Sequence, residues 1–89
     1  MPRYMIESSH DPNLCQRIQA AFLQAGVHYL TRADWGCKSG IHTAWITVEA
    51  KSDTDARLMV PPIIRTSALL AKLNKFTPEE VRVFHQEVQ

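Results

Sequence analysis

Residues 41–50 read Ile-His-Thr-Ala-Trp-Ile-Thr-Val-Glu-Ala. The run is rich in β-branched side chains and alternates in character, the mark of a strand. Ala44, Ile46, Val48 and Ala50 share one face, and Thr43, Trp45, Thr47 and Glu49 share the other. The first face belongs against a core. The second carries an indole between threonines and is neither greasy core nor fully solvated surface. An antiparallel sheet, covered on one side only, accommodates such a strand.

Toward the N-terminus, Gly36-Cys37-Lys38-Ser39-Gly40 is a short polar turn, and Val27 to Trp35 before it reads as a second strand. The two strands are expected to form a hairpin. Further out, Arg3 to Ser8 alternates with Tyr4, Ile6 and Ser8 on one side and Met5 and Glu7 on the other, a first strand. Between them Asp11 and Pro12 open a helix whose stripe is Leu14, Ile18, Ala21, Phe22 and Ala25, closed by Gly26.

Toward the C-terminus, Ser52 or Asp53 caps a second helix with Ala56, Leu58, Met59, Ile63 and Ile64 as its apolar side. Pro61-Pro62 must break it near Val60, because prolines in a helix interior remove backbone bonds. Leu69 to Phe76 reads as a fourth strand. Thr77-Pro78-Glu79-Glu80 is a capping box that starts a last helix, with Val81, Phe84, His85 and Val88 on one side.

The order β-α-β-β-α-β plus a C-terminal helix predicts an α+β, ferredoxin-like fold with a four-stranded antiparallel sheet. Right-handed crossovers put both major helices on one face, in strand order 4-1-3-2. Residues 1–89 make a single domain. With 45% apolar residues and a net charge of +1, the chain is that of a folded protein and not a disordered one. No apolar run resembles a signal-peptide core, and no window approaches the ~18 apolar residues of a membrane span. A cytoplasmic protein with no membrane partner is expected, with Cys15 and Cys37 as free thiols.

The helix-covered face is expected to hold Tyr4, Ile6, Ala44, Ile46, Val48, Ala71 and Leu73. The open face then carries Met5, Glu7, Thr43, Trp45, Thr47, Glu49, Lys72 and Asn74. With His28 as part of a rim, the residues Met5, Glu7, Thr43, Trp45, Thr47, Lys72 and Asn74 form a candidate binding set for a small organic molecule.

The opening Pro2-Arg3-Tyr4-Met5-Ile6-Glu7, the element order and the chain length resemble the dimeric α+β barrel proteins. That group includes antibiotic-biosynthesis-type monooxygenases and muconolactone-isomerase-like proteins. The Asp34-Trp35-Gly36-Cys37 turn and the segment Asn74 to Glu80 look like signatures of a subgroup with no assigned chemistry. The resemblance implies a homodimer whose sheets pack face to face, with a cavity lined by sheet, and a C-terminal helix that reaches its partner. It carries over no catalytic residue.

Three chemistries follow from the residues themselves. Glu7, desolvated by Trp45 and Met5, is a candidate general base, set against a plain Glu7–Lys72 cross-strand ion pair. Cys37, in a Gly-flanked turn beside Lys38 and five residues from His42, is a candidate nucleophile. His10, His28, His42, His85, Cys37, Glu7 and Asp34 are of metal-ligand type, but no CxxC, HxxxH or HExxH spacing groups them, so no residue is assigned to a metal and no cofactor is expected. Cys15 reads as a small packing residue. Nucleic-acid binding by an open sheet is set aside, because Glu7 and Glu49 lie on that face and the charge is near zero.

The main expectation is a homodimer that binds a small organic molecule on its sheet. The alternatives are a cofactor-independent monooxygenase or isomerase, and a structural, regulatory or metal-binding protein. The residues leave enzyme and binding protein both open.

Overall fold

The computed structural model describes the backbone of residues 1–88 and the side chains through Phe84. In chain order the elements are β1 (Arg3–Ser9), α1 (Cys15–Ala25), α2 (Val27–Arg32), β2 (Asp34–Trp35), β3 (Thr43–Glu49), α3 (Asp53–Leu58), β4 (Leu69–Leu73) and α4 (Pro78–Val88). Single 3-10 turns precede α1 (Pro12–Leu14), follow β2 (Cys37–Ser39) and precede β4 (Pro62–Ile64). The four strands form one antiparallel sheet in the order β2-β3-β1-β4, with β1 and β3 central. This mixed α+β arrangement is compatible with a ferredoxin-like fold.

The core lies between the sheet and the helices. Tyr4 and Ile6 from β1, Ile46 and Val48 from β3, Phe22 from α1, Ala56 from α3, and Val60 and Ile64 are all buried in one cluster. The caps follow the sequence. Asp11 accepts from the Asn13 amide and Ser52 from the Asp55 amide. At α4 the Glu80 amide donates to Thr77 Oγ1 and the Thr77 amide donates back to Glu80 Oε1, the reciprocal pair of a capping box. The helix broken by Pro61-Pro62 stops at Leu58, and a separate turn begins at Pro62.

Two expectations are corrected. The first is the strand over Val27 to Trp35. Residues Val27–Arg32 are helical, and only Asp34–Trp35 pair with β3. As a strand, Tyr29 and Leu30 would point to opposite sides. Both instead pack against the core with Ala33, a spacing of i, i+1 and i+4 that one helix face satisfies. The Thr31 hydroxyl donates to the Val27 carbonyl, the local bond a helix offers that residue type.

The second is the facing of β4. Its register sets Leu70 opposite Ile6 and Lys72 opposite Tyr4, while Leu69, Ala71 and Leu73 stand opposite Glu7, Met5 and Arg3. Residues directly opposite each other share a side of the sheet. Ala71 and Leu73 therefore lie on the open face, and Lys72 lies on the helix side, so no Glu7–Lys72 pair forms. The physical reason is the sequence Leu69-Leu70-Ala71-Lys72-Leu73. It is apolar on both faces, and a slip of one residue exchanges them. The strand also ends at Leu73 and not at Phe76. On α4, Val81 and Phe84 are exposed; the side chains of His85 and Val88 lie outside the described residues.

Candidate metal centre at the end of the central strands

β1 and β3 run antiparallel with Ser9 opposite Thr43, and the two hydroxyls hydrogen-bond at 3.1 Å. One residue beyond this pair the His10 amide donates to the His42 carbonyl at 3.0 Å. Two histidines at the same end of neighbouring strands are thereby brought together, with ring centroids 5.9 Å apart. The turn Pro12–Leu14 then sets the start of α1, and with it Cys15, beside them. Cys37 comes from the 3-10 turn between β2 and β3.

That turn is held tightly. The Gly36 amide donates to the Thr43 carbonyl, and the Gly36 carbonyl accepts from the Ser39 and Ile41 amides. A Cβ on Gly36 would lie 2.7 Å from the Ile41 carbonyl oxygen and 3.0 Å from the Trp45 ring. Gly40 closes the turn at φ 83°, a left-handed conformation that favours glycine. Gly36→Ala is expected to cost about 1–3 kcal/mol through overpacking against a backbone oxygen. It would also displace Cys37 from His42. The urea midpoint measures the first effect, and an unchanged midpoint would show that the loop yields at no cost.

The four side chains His10, Cys15, Cys37 and His42 each place one ligand atom within 4.8 Å of the others. Cys37 Sγ lies 3.5 Å from His10 Nε2. Gln19 Nε2 donates to Cys15 Sγ at 3.3 Å, the outer-sphere bond that orients a thiolate. Nδ1 of His10 and Nδ1 of His42 are buried with no hydrogen-bond partner. Buried polar atoms are seldom left unpaired, so protein groups alone do not satisfy these rings. Trp35 stands edge-on to His10 at 6.3 Å and packs edge-to-face on Phe22 at 4.9 Å, which gives the cluster an apolar wall.

The electrostatics suit ligation. Burial first, and the neighbouring His42 second, lower the His10 pKa below 6.5, against a weaker upward pull from the nearby Ser8 backbone. The ring is then neutral near pH 7 and its lone pair is free. The hydrogen bond to Cys37 first, and burial second, raise the Cys15 thiol above its usual 9.0. A metal would have to displace that proton.

The lowered His10 value has a consequence for the metal-free protein. The unfolded chain takes up the proton at about pH 6.5, whereas the folded one resists it to lower pH. Stability is thus complete above about pH 6.5 and is expected to decline as pH falls through the folded value. Melts of the metal-free protein at about pH 7.5 and 5.5 check the sign, and an equal or higher melting point at the acid value would contradict it.

The residues expected to bind a small molecule are only partly assembled. Met5, Glu7, Trp45 and Thr47 do share the open face: Trp45 Nε1 donates to Glu7 Oε1 at 3.0 Å, and Thr47 Oγ1 donates to Met5 Sδ at 3.7 Å. Thr43 is buried, with its hydroxyl engaged by Ser9. His28 is exposed on α2 against Tyr29, Lys72 lies across the sheet, and Asn74 follows the end of β4. The cleft beside Met5 and Glu7 measures about 230 Å³, below the ~300 Å³ at which small-molecule pockets begin. Of the residues weighed as metal ligands, Glu7, His28 and Asp34 do not join the cluster, and the side chain of His85 lies outside the described residues.

Cys15 is the ligand that sequence reading missed. A signal was present in the mirrored spacing His10-x4-Cys15 and Cys37-x4-His42. The paired ends of β1 and β3 bring these two half-motifs together. No family model, curated protein or solved structure matches this chain.

Proposed function

We propose that this chain is a metal-binding protein whose His10, Cys15, Cys37 and His42 hold one zinc-class ion. The observation that carries the reading is the convergence of two thiols and two imidazoles from three separate segments within 4.8 Å. A donor set of two sulfurs and two nitrogens favours zinc among the divalent ions. With all four positions filled by protein, the ion keeps no open place for a water nucleophile. That argues for a regulatory or structural centre and against a hydrolytic one.

The test is titration of reduced, metal-free protein with cobalt(II), which reports thiolate and tetrahedral ligation by its absorption. The expected result is saturation at one ion per chain, displaced by zinc. Featureless spectra, or saturation unchanged in Cys15→Ser and Cys37→Ser, would overturn the reading.

A second reading concerns assembly. Leu69, 67% exposed, and Ala71 lie uncovered on the open sheet face beside Met5 and Trp45, and Phe76 and Phe84 are 75% and 67% exposed. Apolar surface of this kind favours a homodimer of the α+β barrel type, in which a small organic molecule would bind between sheets. Light scattering at twice the 10.1 kDa chain mass supports it, and a clean monomer removes it.

A further inference from the structure

We infer that Cys15 and Cys37 form an oxidation-operated latch, which releases the ion when a peroxide joins the two sulfurs as a disulfide. This rests on the metal reading above. Three observations support it. The sulfurs are neighbours, within the 4.8 Å of the cluster, and both are free thiols. They stand on separate elements, the start of α1 and the turn after β2, so a bond between them cross-links two segments that are distant in sequence. Both also border one cleft of about 400 Å³, open to solvent, which they share with His42, Gln19 and Lys38. Structural zinc centres are ordinarily closed, whereas this opening gives a small oxidant access to the sulfurs.

The two cysteines are not equivalent. Cys37 borders a second cleft of about 350 Å³, lined also by Trp35 and Lys38, which Cys15 does not reach. Each sulfur has one nitrogen partner, Gln19 Nε2 at 3.3 Å for Cys15 and His10 Nε2 at 3.5 Å for Cys37, so the wider access at Cys37 decides between them. Cys37 is therefore the attacking thiolate and Cys15 the resolving one. In the first step Cys37 Sγ attacks the O–O bond of hydrogen peroxide. A sulfenic acid forms, and the departing hydroxide takes a proton from solvent to become water. In the second step Cys15 Sγ attacks the sulfenic sulfur, the S–S bond forms, and a second hydroxide leaves and is protonated. In sum two thiolates give two electrons to one peroxide, two protons are consumed and two waters are made. The ion, left with two imidazoles, departs as a divalent cation. None of the four ligands belongs to the buried core cluster, so the fold outlasts the release.

The experiment uses zinc-loaded full chain, ~10-fold molar excess of hydrogen peroxide and a chromogenic zinc chelator. Stoichiometric zinc loading under reducing conditions comes first, and its failure overturns the metal reading before any oxidant is added. With loading established, the expected result is release of one zinc per chain and loss of both thiols. The intact mass should fall by about 2 Da after the metal leaves, through an intramolecular bond. Circular dichroism should stay that of folded protein, and a dithiol reductant should restore zinc binding. Retained zinc, an intermolecular disulfide, or release by unfolding would overturn the latch and leave zinc binding standing. The order of attack is read with a sulfenic-acid trap: Cys37 in Cys15→Ser should be labelled faster than Cys15 in Cys37→Ser, and the reverse order would overturn the assignment.

Discussion

Zinc is expected to raise the melting temperature of the reduced protein by about 15–30 °C, and Cys37→Ser is expected to abolish that rise. At a free zinc concentration ~1,000 times the dissociation constant, binding adds about 4 kcal/mol to the folded state. A domain of this size gains roughly 4–8 °C per kcal/mol. The effect is large because the ion clamps three segments, the end of β1 with the start of α1, and the turn before β3, that otherwise meet through a few backbone bonds. The metal-free variant should melt close to the metal-free parent, since Cys37 adds nothing to the core. Differential scanning fluorimetry with and without zinc measures both, and a zinc-dependent rise that persists in Cys37→Ser would remove that residue from the ligand set.

Phe22→Ala is expected to destabilise the protein by about 3–5 kcal/mol, the usual cost of truncating a buried phenylalanine. Phe22 is fully buried and holds the Trp35 ring at 4.9 Å, so its loss opens a cavity between α1 and β2. A domain of this length has only ~4–13 kcal/mol in hand, so the loss removes a large share of the margin. The metal wall would loosen with it, because Trp35 stands beside His10. Urea unfolding followed at the tryptophans gives the loss directly; a cost under about 1 kcal/mol would mean that the site collapses around the missing ring.

The elements most visible in the sequence are those with one clear period and one clear cap. The alternation in β3 and the box Thr77 to Glu80 each point one way, and the structure agrees with both; of the α1 stripe, Ile18, Ala21 and Phe22 turn inward while Leu14 and Ala25 are exposed. The helix Val27–Arg32 was hidden because β-branched and aromatic residues satisfy alternation as readily as a helix face; only the joint burial of Tyr29, Leu30 and Ala33 decides. β4 was visible as a strand but not in its facing, because both of its faces are apolar. The metal centre was half visible. The sequence places His42 and Cys37 on one hairpin and shows His10 as a ligand type. Their meeting depends on the register Ser9 opposite Thr43, which no local pattern encodes. Cys15 resembled a packing residue because its neighbours on α1 do pack.

The placement of β1 at the centre of the sheet has a consequence for how the chain reaches its fold. Arg3 lies opposite Glu49 on one side and Leu73 on the other, so the earliest strand waits for two of the latest. Contacts between such distant parts must close long loops before any pairing rewards them, and domains built this way fold more slowly than those with local contacts. The half-motifs His10-x4-Cys15 and Cys37-x4-His42 lie on opposite sides of the first of those closures. Cobalt absorption appearing during refolding would then time the pairing of β1 with β3, and should lag behind the helical signal of α1.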